Sequence, residues 1–246
     1  MPPKPFLTAA WRYLAMFNYE IDPRILAPYV PRGTDLDSWA DRTYVSIVAF
    51  RFLDTRLLGV SVPFHRDFEE VNLRFYVRRV CDAQVRRAVV FIRELVPRRA
   101  VAAVARAMYN EPYITVPMHS RIATDPKLAV RYSWSARGRW HSLEARAAKH
   151  PTLPTAESLE EFISEHHWGY TRQRDGSTVE YHVSHPQWAV SPVEEYRIDA
   201  DLEALYGPAF APFLKTPASV FLADGSPVTV HCPTRLAGSR GAQAAA

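Results

Sequence analysis

Apolar and polar positions alternate along much of this chain, and the alternation predicts strands. From Asp67 to Arg79, Val71, Leu73, Phe75 and Val77 fall on one side, while Glu70, Asn72, Arg74, Tyr76 and Arg78 fall on the other. That two-residue period belongs to a strand with one apolar face. Val89 to Arg99 reads as the next strand and is less regular. Strict alternation places Arg93 among Val89, Phe91 and Leu95, and Glu94 among Ala88, Val90, Ile92 and Val96. Charges in such settings need partners, because an unpaired buried charge is expensive. The polar face of the preceding strand is their expected source.

The same period predicts strands over Ala10–Glu20, with Arg12 on the face of Leu14 and Met16, and over Thr43–Asp54, apolar on nearly both sides as in a central strand. Further strands are expected at Tyr113–Ala123, Leu128–Ser135, Arg139–Ala147, Thr178–His185, Val190–Ile198 and Ser226–His231. Four short helices interrupt them. Asp22 caps one with Pro23 in its first turn, and Arg98–Tyr109 has the alanine content and 3.6-residue spacing of a second. Ser158 with Glu161 forms a capping box for a third, and Asp199–Tyr206 reads as a fourth, stopped by Gly207-Pro208. Gly59–Arg66 and the stretch before Thr178 read as loops.

With 246 residues and 48% hydrophobic content, the chain can bury a large core, and one domain over residues 1–235 is expected. The tail from Leu236 has little to bury and is expected to be disordered. No apolar run reaches the roughly 20 residues of a membrane span, and the first residues lack a signal-peptide core, so a cytoplasmic protein is the expectation. Cys81 and Cys232 form neither a disulfide framework nor a zinc spacing. The net charge of +4 comes from a set of thirty basic residues, all but four of them arginine. No nucleic-acid reader motif accompanies them, and the pairs Arg78-Arg79, Arg86-Arg87 and Arg98-Arg99 lie near strand ends, where they stay hydrated.

The chemistry-bearing candidates are few. There is no G-x-S-x-G, H-E-x-x-H or glycine-rich phosphate loop. His182 and His185 point to opposite faces of a strand and His166-His167 are adjacent, so no metal and no other cofactor is indicated. The polar face carrying Glu70, Asn72, Arg74 and Tyr76 lines a cavity, meets solvent, or forms a structural ion-pair network around Arg12, Glu70, Arg93 and Glu94. Lined up in a cavity, its carboxylate and guanidinium would suit an anionic or oxo-acid ligand. Tyr170 and Arg172, in an aromatic loop after the Ser158 helix, are second candidates for such a site.

The stretches FNYEIDPRILAPYVPRG, TYVSIVAFRFLDTR, EEVNLRFYV, FIREL and EHHWGYTRQRDG, spread over most of the chain, resemble the bacterial family carrying domain of unknown function 2071. That family is similar to the acetoacetate decarboxylase superfamily. The resemblance implies an α+β, mainly β fold, an antiparallel cone-shaped β-barrel with flanking helices around a closed cavity, in agreement with the strand count. It also implies two catalytic positions, since Arg12 and Glu70 match an arginine and a glutamate of the decarboxylase. Two departures matter more. Its other cavity glutamate falls here on Val48, and its lysine pair, one member of which forms a Schiff base, falls on Arg98-Arg99. An imine needs a neutral primary amine, which arginine cannot supply. Of the lysines, Lys215 alone has apolar neighbours, and it reads as a surface residue.

The expected site therefore comprises Glu70 and Arg12 as catalytic residues, with Asn72, Arg74, Tyr76, Arg93, Glu94, Arg98, Tyr170 and Arg172 around the ligand. The expected partner is a small molecule, with neither nucleic acid nor membrane, and homo-oligomer formation is left open. Three functions fit: a lyase or isomerase without Schiff-base chemistry, a non-catalytic small-molecule sensor, or a basic interaction protein.

Overall fold

Fifteen strands and four short α-helices make up the computed structural model, which describes residues 4–81 and 84–236. The strands are β1 (Pro5–Glu20), β2 (Asp35–Leu36), β3 (Tyr44–Leu57), β4 (Val60–Ser61), β5 (Phe68–Cys81), β6 (Gln84–Val96), β7 (Tyr113–Thr115) and β8 (Met118–Ala123). They continue with β9 (Ala129–Ala136), β10 (Arg139–Ala147), β11 (Trp168–Arg172), β12 (Thr178–Ser184), β13 (Val190–Asp199), β14 (Ser219–His231) and β15 (Thr234–Arg235). The helices are α1 (Pro23–Leu26), α2 (Arg99–Tyr109), α3 (Leu159–Ser164) and α4 (Leu202–Tyr206).

Both side-chain caps form as expected. Asp22 accepts from the Arg24 amide, and Ser158 accepts from the Glu161 amide at 3.2 Å. The return arm of the capping box differs, because Glu161 Oε2 accepts from the amide of Glu157 rather than that of Ser158. The short strands β2, β4 and β15 were not anticipated, and β4 lies in the expected Gly59–Arg66 loop. β11 occupies part of the expected loop before Thr178, and β14 begins at Ser219, seven residues before the predicted start. The expected strand at Tyr113–Ala123 is two, divided at Val116-Pro117. Leu236, placed in the expected tail, is buried, and its amide donates to Thr178. The remainder of that tail, 237–246, lies outside the described residues.

Neighbouring strands pair in the order β12, β11, β6, β5, β3, β1, β14, and Val183–Ser184 of β12 pair back to Val230 and Thr229 of β14. The circuit of seven strands is therefore closed. From β14 the sheet also continues through β13, β10 and β9 to β8. This extension carries Tyr132, Trp134 and Leu143 onto Phe17, Ile47, Leu73 and Phe75 of the circuit, forming one apolar core. The opposite faces of β1, β3, β5 and β6 form a second core with Phe162 and Trp188. Burial on both sides is why β3 reads as almost wholly apolar.

The sheet is mixed rather than purely antiparallel. β7 and β11 both run parallel to β6. A parallel neighbour needs a long crossover, which α2 supplies between β6 and β7. Among the described residues, no helix is long and apolar enough to cross a membrane. Neither Cys81 nor Cys232 is in a disulfide.

Two of the irregularities in strand pairing change which side chains face the cavity. On β1, Arg12 pairs with Arg51 but Ala15 pairs with Ala49, and Tyr13 takes φ 59°. The extra residue moves Trp11, not Arg12, onto the face of Leu14 and Met16. Opposite it, Gly225 has φ +75°, and a Cβ there would sit 2.0 Å from the Trp11 carbonyl oxygen. On β6, Arg93 pairs with Leu73 and Phe91 with Arg74, leaving Ile92 between them. Glu94 consequently shares a face with Val89 and Phe91, and Arg93 turns away.

Candidate functional site

A cavity of about 220 Å³ lies within the closed circuit, and all seven of its strands contribute to the lining. Apolar and aromatic side chains, among them Trp11, Phe50, Phe52, Phe68, Phe91 and Trp188, form most of the wall. Helix α2 contributes Ala100, Val101, Val104, Ala105 and Tyr109. The polar lining is concentrated on the face of β5 that the two-residue period singles out, Glu70, Asn72 and Arg74, and on the elements beside it.

Glu70 is 2% exposed. Its Oε1 accepts from Asn72 at 2.9 Å and its Oε2 from the Tyr113 hydroxyl at 3.0 Å. Burial pushes its carboxyl up to about 7, against the pull of those two donors and of the Arg74 charge. Glu94 pairs across from Asn72, where burial and then the carboxylates of Glu111 and Glu70 push it well up. Its Oε2 has no hydrogen-bond partner. Glu111 completes the group. Helix α2 ends on Asn110 in a left-handed conformation (φ 58°), and the next residue turns its carboxylate inward. There it accepts from Thr171 at 2.5 Å and Tyr181 at 2.9 Å, and burial pushes it up to about 7.

At the other end of the polar row stands Arg74, 8% exposed. Its guanidinium reaches the Ile163 carbonyl at 3.4 Å and lies 5.8 Å from the Tyr76 ring centre, while its Nε has no acceptor. His166 lines the same region, its ring against Tyr76 and Phe162. Asp37, which pairs with Arg87 at 3.3 Å, lies 3.6 Å from His166 Nε2. Burial pulls the imidazole down to about 4, so it is neutral near pH 7 despite that carboxylate.

Of the sequence-predicted site residues, the structure brings Glu70, Asn72, Arg74 and Glu94 together in the lining. Tyr76 shares their face but lies beneath it, its hydroxyl 2.6 Å from Ser46 Oγ. Arg12 is outside the lining and donates to the Gly225 carbonyl at 3.0 Å, a consequence of the β1 bulge. Arg93 is turned outward by the β6 bulge and donates to the Leu205 carbonyl of α4. Arg98 precedes the first turn of α2 without reaching the lining. Tyr170 belongs to the outer core, with its hydroxyl on Glu180, the partner of Arg79 and Arg86. Arg172 is exposed and donates to Pro28.

Sequence reasoning missed Glu111, Tyr113, Tyr181 and His166. Glu111 sits in the short Asn110-Glu111-Pro112 link, whose composition is that of a surface turn, so nothing local signals its burial. His166 carried a signal only in the EHHWGY stretch. Lysine is absent from the lining, and Lys215 is exposed. Among the described residues, no three histidine, cysteine or acidic side chains are grouped to hold a metal ion.

The sequence matches the DUF2071 family of uncharacterized conserved proteins over residues 8–227. It is 23% identical to the uncharacterized protein YqjF of Bacillus subtilis (strain 168) over 185 residues, which is 75% of this chain and 74% of that protein. The fold is similar to acetoacetate decarboxylase from Legionella pneumophila, with a TM-score of 0.69 at 15% identity over 96% of this chain and 88% of the other. It is also similar to the enduracididine biosynthesis enzyme MppR complexed with pyruvate, with a TM-score of 0.66 at 14% identity, covering 96% of this chain and 91% of MppR.

Proposed function

The chain belongs to the DUF2071 family of uncharacterized conserved proteins, on an acetoacetate decarboxylase-like fold, and from that premise we propose that its cavity binds a small oxo acid and moves protons on it without forming an imine. In this reading the closed strand circuit is the cone-shaped barrel of the superfamily and the cavity is its lumen. The observation that carries the proposal is Glu70, buried in the lining with a carboxyl that gains and loses its proton near neutrality. A general acid or base works best when its pKa lies near the working pH. Arg74, in place of the expected Arg12, holds the ligand's carboxylate, and the carbonyl lies toward Glu70. Abstraction of a proton beside the carbonyl, and its return, is the step common to the lyase and isomerase alternatives. The absence of lysine from the lining supports a route without a Schiff base. One neighbour of the same fold is complexed with an oxo acid, pyruvate, which supports the ligand class.

The test is exchange of carbon-bound protons of pyruvate and its longer homologues with deuterated water, followed by proton NMR. Wild type is expected to accelerate exchange, and Glu70→Gln to lose at least about a hundredfold of that acceleration. Binding without exchange selects the second reading, a non-catalytic sensor, which the largely apolar wall favours. Neither binding nor exchange sinks both.

A further inference from the structure

Two groups in the cavity are left unserved by the protein, and they are of opposite sign. At the carboxyl end, Glu70 and Glu111 receive hydrogen bonds only from neutral groups, and Glu94 Oε2, in a residue 1% exposed, receives none. Among the described residues no lysine, arginine or histidine forms an ion pair with any of the three. At the other end the Arg74 guanidinium has one long bond to a carbonyl, a free Nε and no carboxylate partner. Beside it, His166 has no hydrogen bond on either ring nitrogen. A buried charge without a partner is costly, and charges of opposite sign at two ends of one cavity are satisfied together by a molecule carrying both complements.

The spacing bounds that molecule. Glu94 pairs with Asn72, and Arg74 lies two residues further along β5, about 7 Å at the rise of a strand. Phe91, which pairs with Arg74, and the other apolar side chains of the lining offer methylene groups an apolar surface there.

We propose that the ligand is dipolar: a protonated amine seated among Glu70, Glu94 and Glu111, a short apolar chain, and a carboxylate seated on Arg74. This deepens the oxo-acid reading and rests on it, naming the substrate class as an amino-substituted oxo acid. An ammonium among the three carboxyl groups favours their ionised forms, so binding near neutrality releases protons to solvent. It also turns Glu70 into the base that the proposed step needs.

The experiment is calorimetric titration of the full chain with δ-aminovalerate and ε-aminocaproate, against valerate, caproate and pentylamine, in two buffers of different ionisation heat. The dipolar probes are expected to bind at least about tenfold tighter than either single-ended probe, with proton release that the simple carboxylates do not cause. Glu94→Gln is expected to erase their advantage over valerate, and Arg74→Met their advantage over pentylamine, with circular dichroism confirming that both variants fold. Valerate binding as tightly as δ-aminovalerate overturns the dipolar ligand. If pyruvate homologues still bind and exchange in that case, the oxo-acid reading survives alone. If no probe and no oxo acid binds, both fall.

Discussion

Replacing Glu70 by glutamine removes a charge that the fold resists, and the consequence is a stability change that depends on pH. Burial raises the Glu70 carboxyl from 4.5 to about 7, so between those values the folded protein holds a proton that the unfolded chain has released. The contribution of Glu70 to stability is therefore greatest below about pH 4.5, falls as pH rises through about 7, and levels off above it. At about 1.4 kcal/mol per tenfold change in proton affinity, the ceiling on this loss is roughly 3 kcal/mol. Sharing of protons with Glu94 and Glu111 brings the expected value to about 1–3 kcal/mol. Glutamine fits the site, because Asn72 Oδ1 has no partner and a turned Asn72 amide can accept from the new side chain. The remaining oxygen still accepts from Tyr113. Urea unfolding near pH 5 should find wild type and variant closely matched. Near pH 8 the variant should be the more stable by about 1–3 kcal/mol, with its melting temperature raised by roughly 2–4 °C for each kcal/mol. A variant that is less stable near pH 8 would refute the reasoning, because it would mean that Glu70 is ionised and favourably paired there. So would a wild-type curve that is flat between about pH 4.5 and 8.

Gly169→Ala should be strongly destabilising, since the new methyl would lie 2.1 Å from the Tyr181 ring, which cannot retreat without releasing Glu111. A loss of about 1–3 kcal/mol or more is expected in urea unfolding. Incubation with pyruvate and borohydride should leave the protein mass unchanged, because no lysine lines the cavity; a covalent adduct in the mass spectrum sinks the imine-free reading. Arg74→Gln should weaken oxo-acid binding by roughly tenfold or more, in keeping with the loss of a charge-assisted hydrogen bond, while Arg12→Gln should leave it within about twofold. Calorimetry on both variants checks the assignment, and the reverse ranking would return the anion site to Arg12.

How much of the site was legible follows from its geometry. Glu70, Asn72 and Arg74 were found because β5 is regular across them, so one polar face in the sequence is one polar face in space. Glu94 was found for its apolar surroundings, although strict alternation put it on the wrong face and kept Arg93 as its companion at the site. Arg12 was carried over from the decarboxylase by its place along the chain, which takes no account of the bulge that reverses the faces of β1. Tyr170 and Arg172 were drawn from a stretch taken for a loop. As part of β11, Tyr170 packs into the outer core and Arg172 stays exposed, while Trp168 at the start of the strand reaches the cavity wall.

The sequence by itself determined the local structure: the strands with a clean period, the caps at Asp22 and Ser158, the alanine-rich helix α2, and arginine rather than lysine at 98 and 99. These are properties of neighbouring residues, set by side-chain direction, backbone donors and chemical type. Tertiary structure alone decided which faces meet. One extra residue at Tyr13 and another at Ile92 exchange inside for outside on β1 and β6, yet neither has a composition that announces a bulge. The pairing of β12 with β14 closes the circuit around the cavity, and the end of α2 delivers Glu111 to it from a link that reads as surface. Such contacts join residues far apart in the chain, and their energy is absent from any local window, so only the assembled fold could place three carboxyl groups and Arg74 around one space.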